Sequence, residues 1–437
     1  MPQRWKYSSD YYRHSQDVLK TALGKVAAYK SWRVYDPGRE YSIDQRYAAM
    51  PALTKSDIRQ HLPQDFVPPG RDVSSGMASG EIQLVTSSGT IDDRVTNIWN
   101  QKWWDASERA SWNSNSYASK IATDNKREAI LVNPLNVGFI SDDLDLPMGK
   151  RRLSRFLYLN EKTDPLSWSP KHMDRMVKEL EIFQPAVLEA NPSLLARLCR
   201  YITASKKTAF PPGLIVLTYE YPAKFHYRQI RQVFDVPIAS SYGTTETGYV
   251  FMQCEEGNFH QNSEFCRVDF QPLRAEHGGP FLGRILATTF NNPWYYMVRF
   301  DVGDLVRINQ EGQCPCGRDS GMILSAVEGR AANVTLTCAG RPVSLRELDD
   351  TLSLLEGIDE YQLIQAAADA YNLHLVSQRT DKERLSKEAS DLLKSLYGTA
   401  AKVSVIHQEA ISPESSGKYN IAKAAFPVEV EIEKYLQ

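Results

Sequence analysis

The feature that most limits how this 437-residue chain can fold is a series of short apolar runs, each closed by Gly, Pro or Asn. "REAILVNPLNVG" (127–138), "PAVLEANP" (185–192), "GLIVLTYEY" (213–221) and "VPIASSYG" (236–243) read as buried strands of a parallel or mixed sheet. Helical patterns lie between them. "SPKHMDRMVKELEIF" offers Ser169 as N-cap and Pro170 at the first helical position, with Met173, Met176, Val177 and Leu180 on one face. "NPSLLARLCRYI" repeats the arrangement with Asn191, Pro192, Leu194, Leu195, Leu198 and Ile202. Strands that alternate with helices predict a layered α/β core.

A chain of this length exceeds one ordinary small domain, so two are expected. Beyond about Arg330 the pattern changes to "YQLIQ", a turn "AADAYN", "LHLVSQ", a helix "DKERLSKEASDLLKSLYG" that closes at Gly398, and "KVSVIHQE". This reads as a compact α+β unit of roughly a hundred residues. The expected division is a large layered α/β N-terminal domain over 1–329 and a small α+β C-terminal lid domain over 330–437. One long polar loop, 67–80, precedes the strand "EIQLV", and "DRVTNIWNQKWWDASERASW" after it reads as a helix.

Charge narrows the partners. The 51 basic residues nearly balance 53 acidic ones, so net charge gives no attraction to nucleic acid or to a membrane surface. Residues 1–20 are polar and aromatic without the apolar core of a secretory leader, and no later stretch approaches the roughly 18 apolar residues of a membrane span. A cytoplasmic protein without nucleic-acid or membrane partners is therefore expected; oligomeric state is not readable. No G-x-S-x-G elbow and no H-E-x-x-H pair is present, which removes the common hydrolase readings.

Four stretches carry the chemistry: "TSSGT" at 86–90, "SSYGTTE" at 240–246, "VRFDVGD" at 298–304 and "SSGK" at 415–418. The first crowds Ser, Thr and Gly after an apolar strand end, as where a backbone wraps a phosphate. Together, in this order, they resemble the adenylate-forming superfamily of acyl-CoA synthetases, adenylation domains and luciferases, most closely its phenylacetate-CoA ligase-like branch. The resemblance runs from about Glu81 to Lys418. It implies ATP-dependent activation of a carboxylic acid, aromatic or arylacetic, to an acyl-adenylate with release of pyrophosphate, then transfer to a thiol such as CoA.

The resemblance also implies the roles. Thr86, Ser87, Ser88, Gly89 and Thr90 would offer hydroxyls and amides to the β- and γ-phosphates. Tyr242, Gly243 and Thr244 would line the nucleotide, Tyr242 facing adenine; Thr245 would contact the α-phosphate or acyl carbonyl. Glu246 would hold Mg²⁺, a hard ion that prefers carboxylate oxygen. Asp304 would accept both ribose hydroxyls, since a carboxylate is acceptor-only. Arg330 would bind nucleotide at the hinge, and Lys418 would swing in from the lid to bridge the developing charge. Trp99, Trp103, Trp104, Tyr219, Tyr221 and Phe251 supply aromatic surface for an acyl pocket.

Cys254, His260, Cys314 and Cys316 have the ligand types of a Cys₃His tetrahedral zinc site, with "CPCGR" turning two thiolates toward one ion. The phenylacetate-CoA ligase-like branch carries similar stretches at matching places. Such a site is structural, with no open position; Cys266 and His277 stand nearby as substitute ligands.

Three departures from the family pattern matter. Asp92 and Asp93 occupy places usually filled by Gly and Lys in the phosphate loop, where inward carboxylates would repel a triphosphate. Either both point away and Arg94 supplies the cation, or one of them caps the following helix. At the hinge, "GRAAN" keeps Arg330 but puts Ala332 and Asn333 where two aspartates are usual, and Val302 replaces a common threonine. The hinge change leaves an amine or a carrier-protein arm open as the acyl acceptor in place of CoA, and leaves open a catalytically weak nucleotide- or acyl-binding protein.

Overall fold

Val187–Ala190 and Leu214–Leu217 are buried at every residue, as strands covered on both faces must be. They lie inside a twelve-stranded mixed sheet in the computed structural model, which describes residues 5–86, 94–123, 125–139, 141, 145–426 and 435–436. In spatial order the strands are Cys266–Pro272, Leu282–Thr289, Phe300–Ile308, Ile323–Arg330, Phe259–Gln261, Gly248–Gln253, Ile238–Thr244, Leu214–Leu217, Val187–Ala190, Glu128–Leu131, Phe156–Tyr158 and Arg152–Leu153. The five from Ile238–Thr244 to Phe156–Tyr158 run parallel. From Gly248–Gln253 outward every pairing is antiparallel. Ile238–Thr244 is thus the junction strand.

The parallel half is layered as the sequence predicts. Ser169 Oγ accepts from the His172 amide to start helix Pro170–Phe183, and the Asn191 side chain accepts from Leu194 to start Pro192–Ala204. Met176, Leu180, Leu194, Leu195, Leu198 and Ile202 bury against Leu188, Ala190, Ile215 and Leu217 of the sheet. The antiparallel half is covered by N-terminal helices that carry no strong sequence signature. Helix Ser9–Lys25 lays Tyr11 edge-on to Phe290, and the Tyr29 hydroxyl donates to the Tyr296 carbonyl at 2.8 Å.

Two local expectations are corrected. The polar loop 67–80 contains a helix, Val73–Ala78, capped by Asp72. The run after the phosphate loop is not helical from its start: Thr96–Trp99 pairs with Gln83–Thr86 as a separate two-stranded ribbon, and the helix is Gln101–Trp112, capped by the Asn100 side chain. The β-branched and aromatic residues of "VTNIW" favour a strand, and Asn100 offers a cap nearer the helical pattern. Neither Asp92 nor Asp93 therefore caps that helix.

Past Arg330 the chain makes a short turn, Ala331–Asn333, and enters a four-stranded sheet in the order Lys402–His407, Ala370–Ser377, Ile358–Ala367, Ala422–Ala424. Helices Leu345–Leu352 and Lys382–Tyr397 pack on it through Leu348, Leu352, Leu385 and Leu393. The fold class is as expected, a large layered α/β N-terminal domain followed by a smaller α+β one. No described helix is long and apolar enough to cross a membrane.

A buried ionic network fixes the edge of the parallel half. Arg151, fully buried, donates to Glu179 at 2.9 Å and to the carbonyls of Leu146 and Tyr158, while Arg175 pairs with Glu161 at 2.6 Å. Removing one partner leaves a buried charge uncompensated, so Arg151→Ala is expected to cost about 3–5 kcal/mol in the large-domain denaturant transition. Arg152→Ala, at an exposed neighbour, should change it by less than about 0.5 kcal/mol.

Candidate active site

The junction strand carries "SSYGTT" to the carboxyl edge of the parallel strands, where open α/β sheets keep their binding crevice. There the chain reverses through residues 245–247 into Gly248–Gln253. The reversal is tight: a Cβ at Gly243 would lie 2.2 Å from the Gly248 carbonyl oxygen, so no larger residue fits. Thr244 and Thr247 close the turn by a 2.9 Å hydroxyl contact. Thr245 sits half-buried in the turn. Glu246 is 3% exposed, and its Oε1 has no hydrogen-bond partner. A buried carboxylate oxygen without a donor is costly unless a ligand or cation completes it.

Tyr242, on the same strand, donates its hydroxyl to Asp304 Oδ2 at 2.8 Å. Asp304 lies opposite Arg330 in the register of the neighbouring strands, and the guanidinium stands 3.4 Å from Asp304 Oδ1. Arg330 also donates to the Val302 carbonyl at 2.7 Å. Burial and the Asp304 charge push the Tyr242 phenol well above its usual pKa, so it remains a donor.

Lys418 arrives from the C-terminal domain. Burial, with repulsion from Arg330 added, holds its pKa below the usual 10.5, while the carboxylates of Glu220 and Asp304 pull the other way. These same groups define its surroundings. The turn that presents it approaches the large domain closely: Gly417 has φ +77°, and a Cβ there would lie 2.3 Å from Asn133 Nδ2. Next to it, the Tyr419 amide donates to Glu220 Oε1 at 2.7 Å, and the Ser193 hydroxyl donates to Glu220 Oε2 at 2.7 Å. Glu220 is thus a clasp between the domains.

The rest of the interface holds this arrangement. Asp349 accepts from the Lys224 amide at 2.9 Å, Gln229 donates to the Asp359 carbonyl at 2.7 Å, and Arg200 pairs with Glu360. Phe225 of helix Lys224–Arg231 packs edge-on against Tyr361 in the core of the small domain. Asn333, in the turn after Arg330, donates to Asn420 at 2.6 Å, two residues past Lys418.

Thr86 is exposed at the end of the two-stranded ribbon, and Arg94 is exposed where the description resumes. Ser87, Ser88, Gly89, Thr90, Asp92 and Asp93 lie outside the described residues. Of the six aromatics considered for an acyl pocket, three belong elsewhere. Trp103 is buried and donates to the Phe290 carbonyl, Phe251 is core, and Tyr221 joins the small-domain cluster. Trp99, Trp104 and Tyr219 are half-buried, and Trp104 meets Tyr249 at 5.0 Å.

At the far end of Gly248–Gln253 from Glu246, Cys254, His260, Cys314 and Cys316 bring four donor atoms within 4.8 Å of one another. Cys254 and Cys314 sulfurs stand 3.7 Å apart, and Cys316 Sγ is 3.3 Å from His260 Nε2. Three thiols and an imidazole gathered in this way are the donor set of a tetrahedral zinc site. Cys266 faces the Asn262 and Val250 carbonyls in the core, and His277 packs on Tyr435, so neither substitutes as a ligand.

Sequence reading did not single out Glu220, nor three buried acids on the other side of the junction strand: Glu108, Glu128 and Glu189. Glu128 in "EAIL" and Glu189 in "VLEA" interrupt otherwise apolar buried strands, and that interruption is the signal they carried.

Residues 336–425 match the family described as the CapK C-terminal domain. A curated relative, Protein CapK of Staphylococcus aureus, is 23% identical over 270 residues, which cover 57% of this chain and 56% of the relative. The chain thus spans little more than half the length of that relative. Among solved structures, 2-hydroxyisobutyryl-CoA ligase in the postadenylation state with 2-HIB-AMP gives a TM-score of 0.71 at 15% identity, covering 99% of this chain and 93% of that one. The same ligase in the thioesterification state gives 0.57, with 97% and 92% covered. At this identity the likeness is one of fold: this chain shares the two-domain architecture of those ligase structures.

Glu220→Ala removes the acceptor that holds the Tyr419 amide. Hydrogen exchange at that amide is expected to quicken by roughly 5–10-fold, the equivalent of one lost hydrogen bond, while exchange in Leu214–Leu217 stays as it was.

Proposed function

We propose that this protein activates a carboxylic acid with ATP to an acyl-adenylate and passes the acyl group to the thiol of CoA. The observation that carries the reading is the meeting of Lys418, Arg330, Asp304 and Tyr242 where the two domains join, with the unpartnered Glu246 oxygen on the hairpin that carries Tyr242. In the first half-reaction an acid oxygen attacks the α-phosphorus as the bond to the pyrophosphate oxygen breaks. Negative charge grows on phosphate oxygens, and fixed cations and donors stabilise it most.

Each residue then has a task. Tyr242 and Arg330 hold the Asp304 carboxylate in place, leaving lone pairs for the ribose hydroxyls. Thr245 donates toward the α-phosphate or the acyl carbonyl. Thr86 and residues 87–90, with Gly243 and Thr244, line the nucleotide, and Arg94 follows that loop. Lys418 supplies the mobile positive charge. Glu246 would hold Mg²⁺, which when bound neutralises phosphate charge. The division near Gly329 and Arg330 is the hinge on which 330–437 moves as a lid.

The acid is aromatic or arylacetic in this reading, which the half-open Trp104 and Tyr249 support. The Cys₃His cluster supports the phenylacetate-CoA ligase-like branch and a structural zinc there. A second reading keeps adenylation and changes the acceptor to an amine or a carrier-protein arm. Its support is the hinge, where Asn333 is tied to Asn420 and no carboxylate follows Arg330 directly.

ATP–pyrophosphate exchange over a panel of acids tests the reading, and mass spectrometry of the product with CoA or amines identifies the acceptor. ATP binding without exchange for any acid would leave only a nucleotide-binding protein. Lys418→Ala should lower exchange about 10²–10³-fold and change ATP affinity by less than about threefold, because the lysine acts on the transition state. Lys418 works protonated, and its pKa is lowered, so the exchange rate should fall as pH rises through a value below 10.5. Lys418→Arg should abolish that alkaline limb, since a guanidinium keeps its proton.

Purified protein should hold about one zinc per chain by elemental analysis. Cys314→Ser should release it and lower the melting temperature, with chelator reproducing the effect.

A further inference from the structure

The N-terminal segment brings a further charge to the place where the domains join. Leu53 runs parallel to the start of strand Phe300–Ile308: its amide donates to the Arg299 carbonyl and its carbonyl accepts from the Asp301 amide, each at 2.9 Å. The Arg299 side chain also donates to the Pro51 carbonyl at 3.3 Å, which fixes the segment ahead of Leu53. Thr54 stays extended and caps helix Lys55–Arg59, its hydroxyl accepting from the Asp57 amide at 3.2 Å while Asp57 accepts from the Thr54 amide at 2.7 Å. The segment therefore heads along the strand toward Asp304, and Lys55 stands half-buried where it turns into the helix. Across from it the strand comes close to Arg330: a Cβ at Gly303, whose φ is +78°, would lie 3.0 Å from Arg330 Nη1.

Charge at this place is in excess. The groups that act most strongly on Lys418 are Arg330 and Lys55, which repel its charge, and Glu220 and Asp304, which attract it. With Lys418 itself these make three cations and two carboxylates among the described residues. Both acids have other donors: Asp304 accepts from Tyr242, and Glu220 accepts from Ser193 and the Tyr419 amide. Asp301, next on the strand, pairs with Arg284 and accepts from the Gly303 amide, both at 2.9 Å. Half-buried like charges repel across a reduced dielectric, and an anionic ligand among them relieves the excess.

We propose that Lys55 binds the β- and γ-phosphates of ATP and holds the pyrophosphate as it leaves, in place of the phosphate-loop lysine that this chain lacks. This rests on the adenylation reading and assigns a further residue to it. Asp92 and Asp93 stand where the adenylate-forming pattern has Gly and Lys, so the loop itself brings no lysine. The three cations divide by position. Arg330 is tied to Asp304 and to the Val302 carbonyl, at the ribose end of the site. Lys418 arrives with the small domain. Lys55 belongs to the large domain and is held by the strand that carries Asp304, so it stays in place wherever the small domain goes. As the acid oxygen bonds to the α-phosphorus and the bond to the bridging oxygen breaks, the electron pair remains on pyrophosphate, and a fixed ammonium beside it stabilises that charge.

The test uses calorimetry of the full-length protein with ATP and with AMP, which lacks the β- and γ-phosphates, beside pyrophosphate exchange over the panel of acids. Lys55→Ala should weaken ATP roughly 10–100-fold and AMP less than about twofold, because an ammonium–phosphate bond is charge-assisted. The KM for pyrophosphate should rise by a similar factor. Lys55→Arg should bring ATP back to within about threefold of wild type, and Arg94→Ala should weaken ATP less than Lys55→Ala does. Lys55→Gln, which keeps most of the side-chain stem, serves in the same comparison if Lys55→Ala fails to fold. Unchanged ATP affinity in Lys55→Ala, equal weakening of ATP and AMP, or a larger loss in Arg94→Ala would overturn the proposal. ATP weakened selectively in Lys55→Ala, with no exchange for any acid by the wild type, would keep the phosphate site and sink the adenylation reading. Brisk exchange by the wild type that Lys55→Ala leaves intact would do the reverse.

Discussion

Everything at the candidate site depends on the pairing of one strand, Ile238–Thr244, which is parallel to Leu214–Leu217 and antiparallel to Gly248–Gln253. A parallel strand must send its chain away over the sheet, whereas an antiparallel one can turn back at once. The change of rule at this strand lets a three-residue turn stand at the carboxyl edge, with Glu246 buried in it. From the same strand the Tyr242 side chain reaches Asp304, whose strand lies four places away in the sheet order. Their hydrogen bond ties the junction strand to the strand that carries Asp304.

Charge is distributed around that strand in two opposite ways. Above it, Arg330 and Lys418 bring positive charge to the candidate site, offset in part by the carboxylates of Asp304 and Glu220. Below it, three carboxylates are buried with two cations. Low local dielectric strengthens both fields.

The small domain is held by polar and apolar contacts together. Hydrogen bonds and ion pairs run from Glu220 to Tyr419, Asp349 to Lys224, Gln229 to Asp359 and Arg200 to Glu360, and an apolar seam brings Ala223, Phe225 and Tyr221 into the small-domain core and Val334 against Leu273, Leu282 and Leu305. Gly417 permits the close approach to Asn133 that seats Lys418, and that approach is lost with any larger residue.

The sequence by itself determined the layered α/β core, because burial on both strand faces and caps such as Ser169 and Asn191 are local demands with local signatures. It also exposed the Cys₃His quartet, since ligand types are visible in the letters even when their distances are not. It misread 96–99 as helix, where an apolar run too short to show its period took strand form by pairing with Gln83–Thr86. Only tertiary structure decided which aromatics face the pocket, where Glu220 clasps the small domain, and that Glu108, Glu128 and Glu189 meet. The reason is physical: a buried acid reads as an anomaly along the chain, but its charge acts on whatever lies within a few ångströms, and those neighbours are set by sheet register and domain docking.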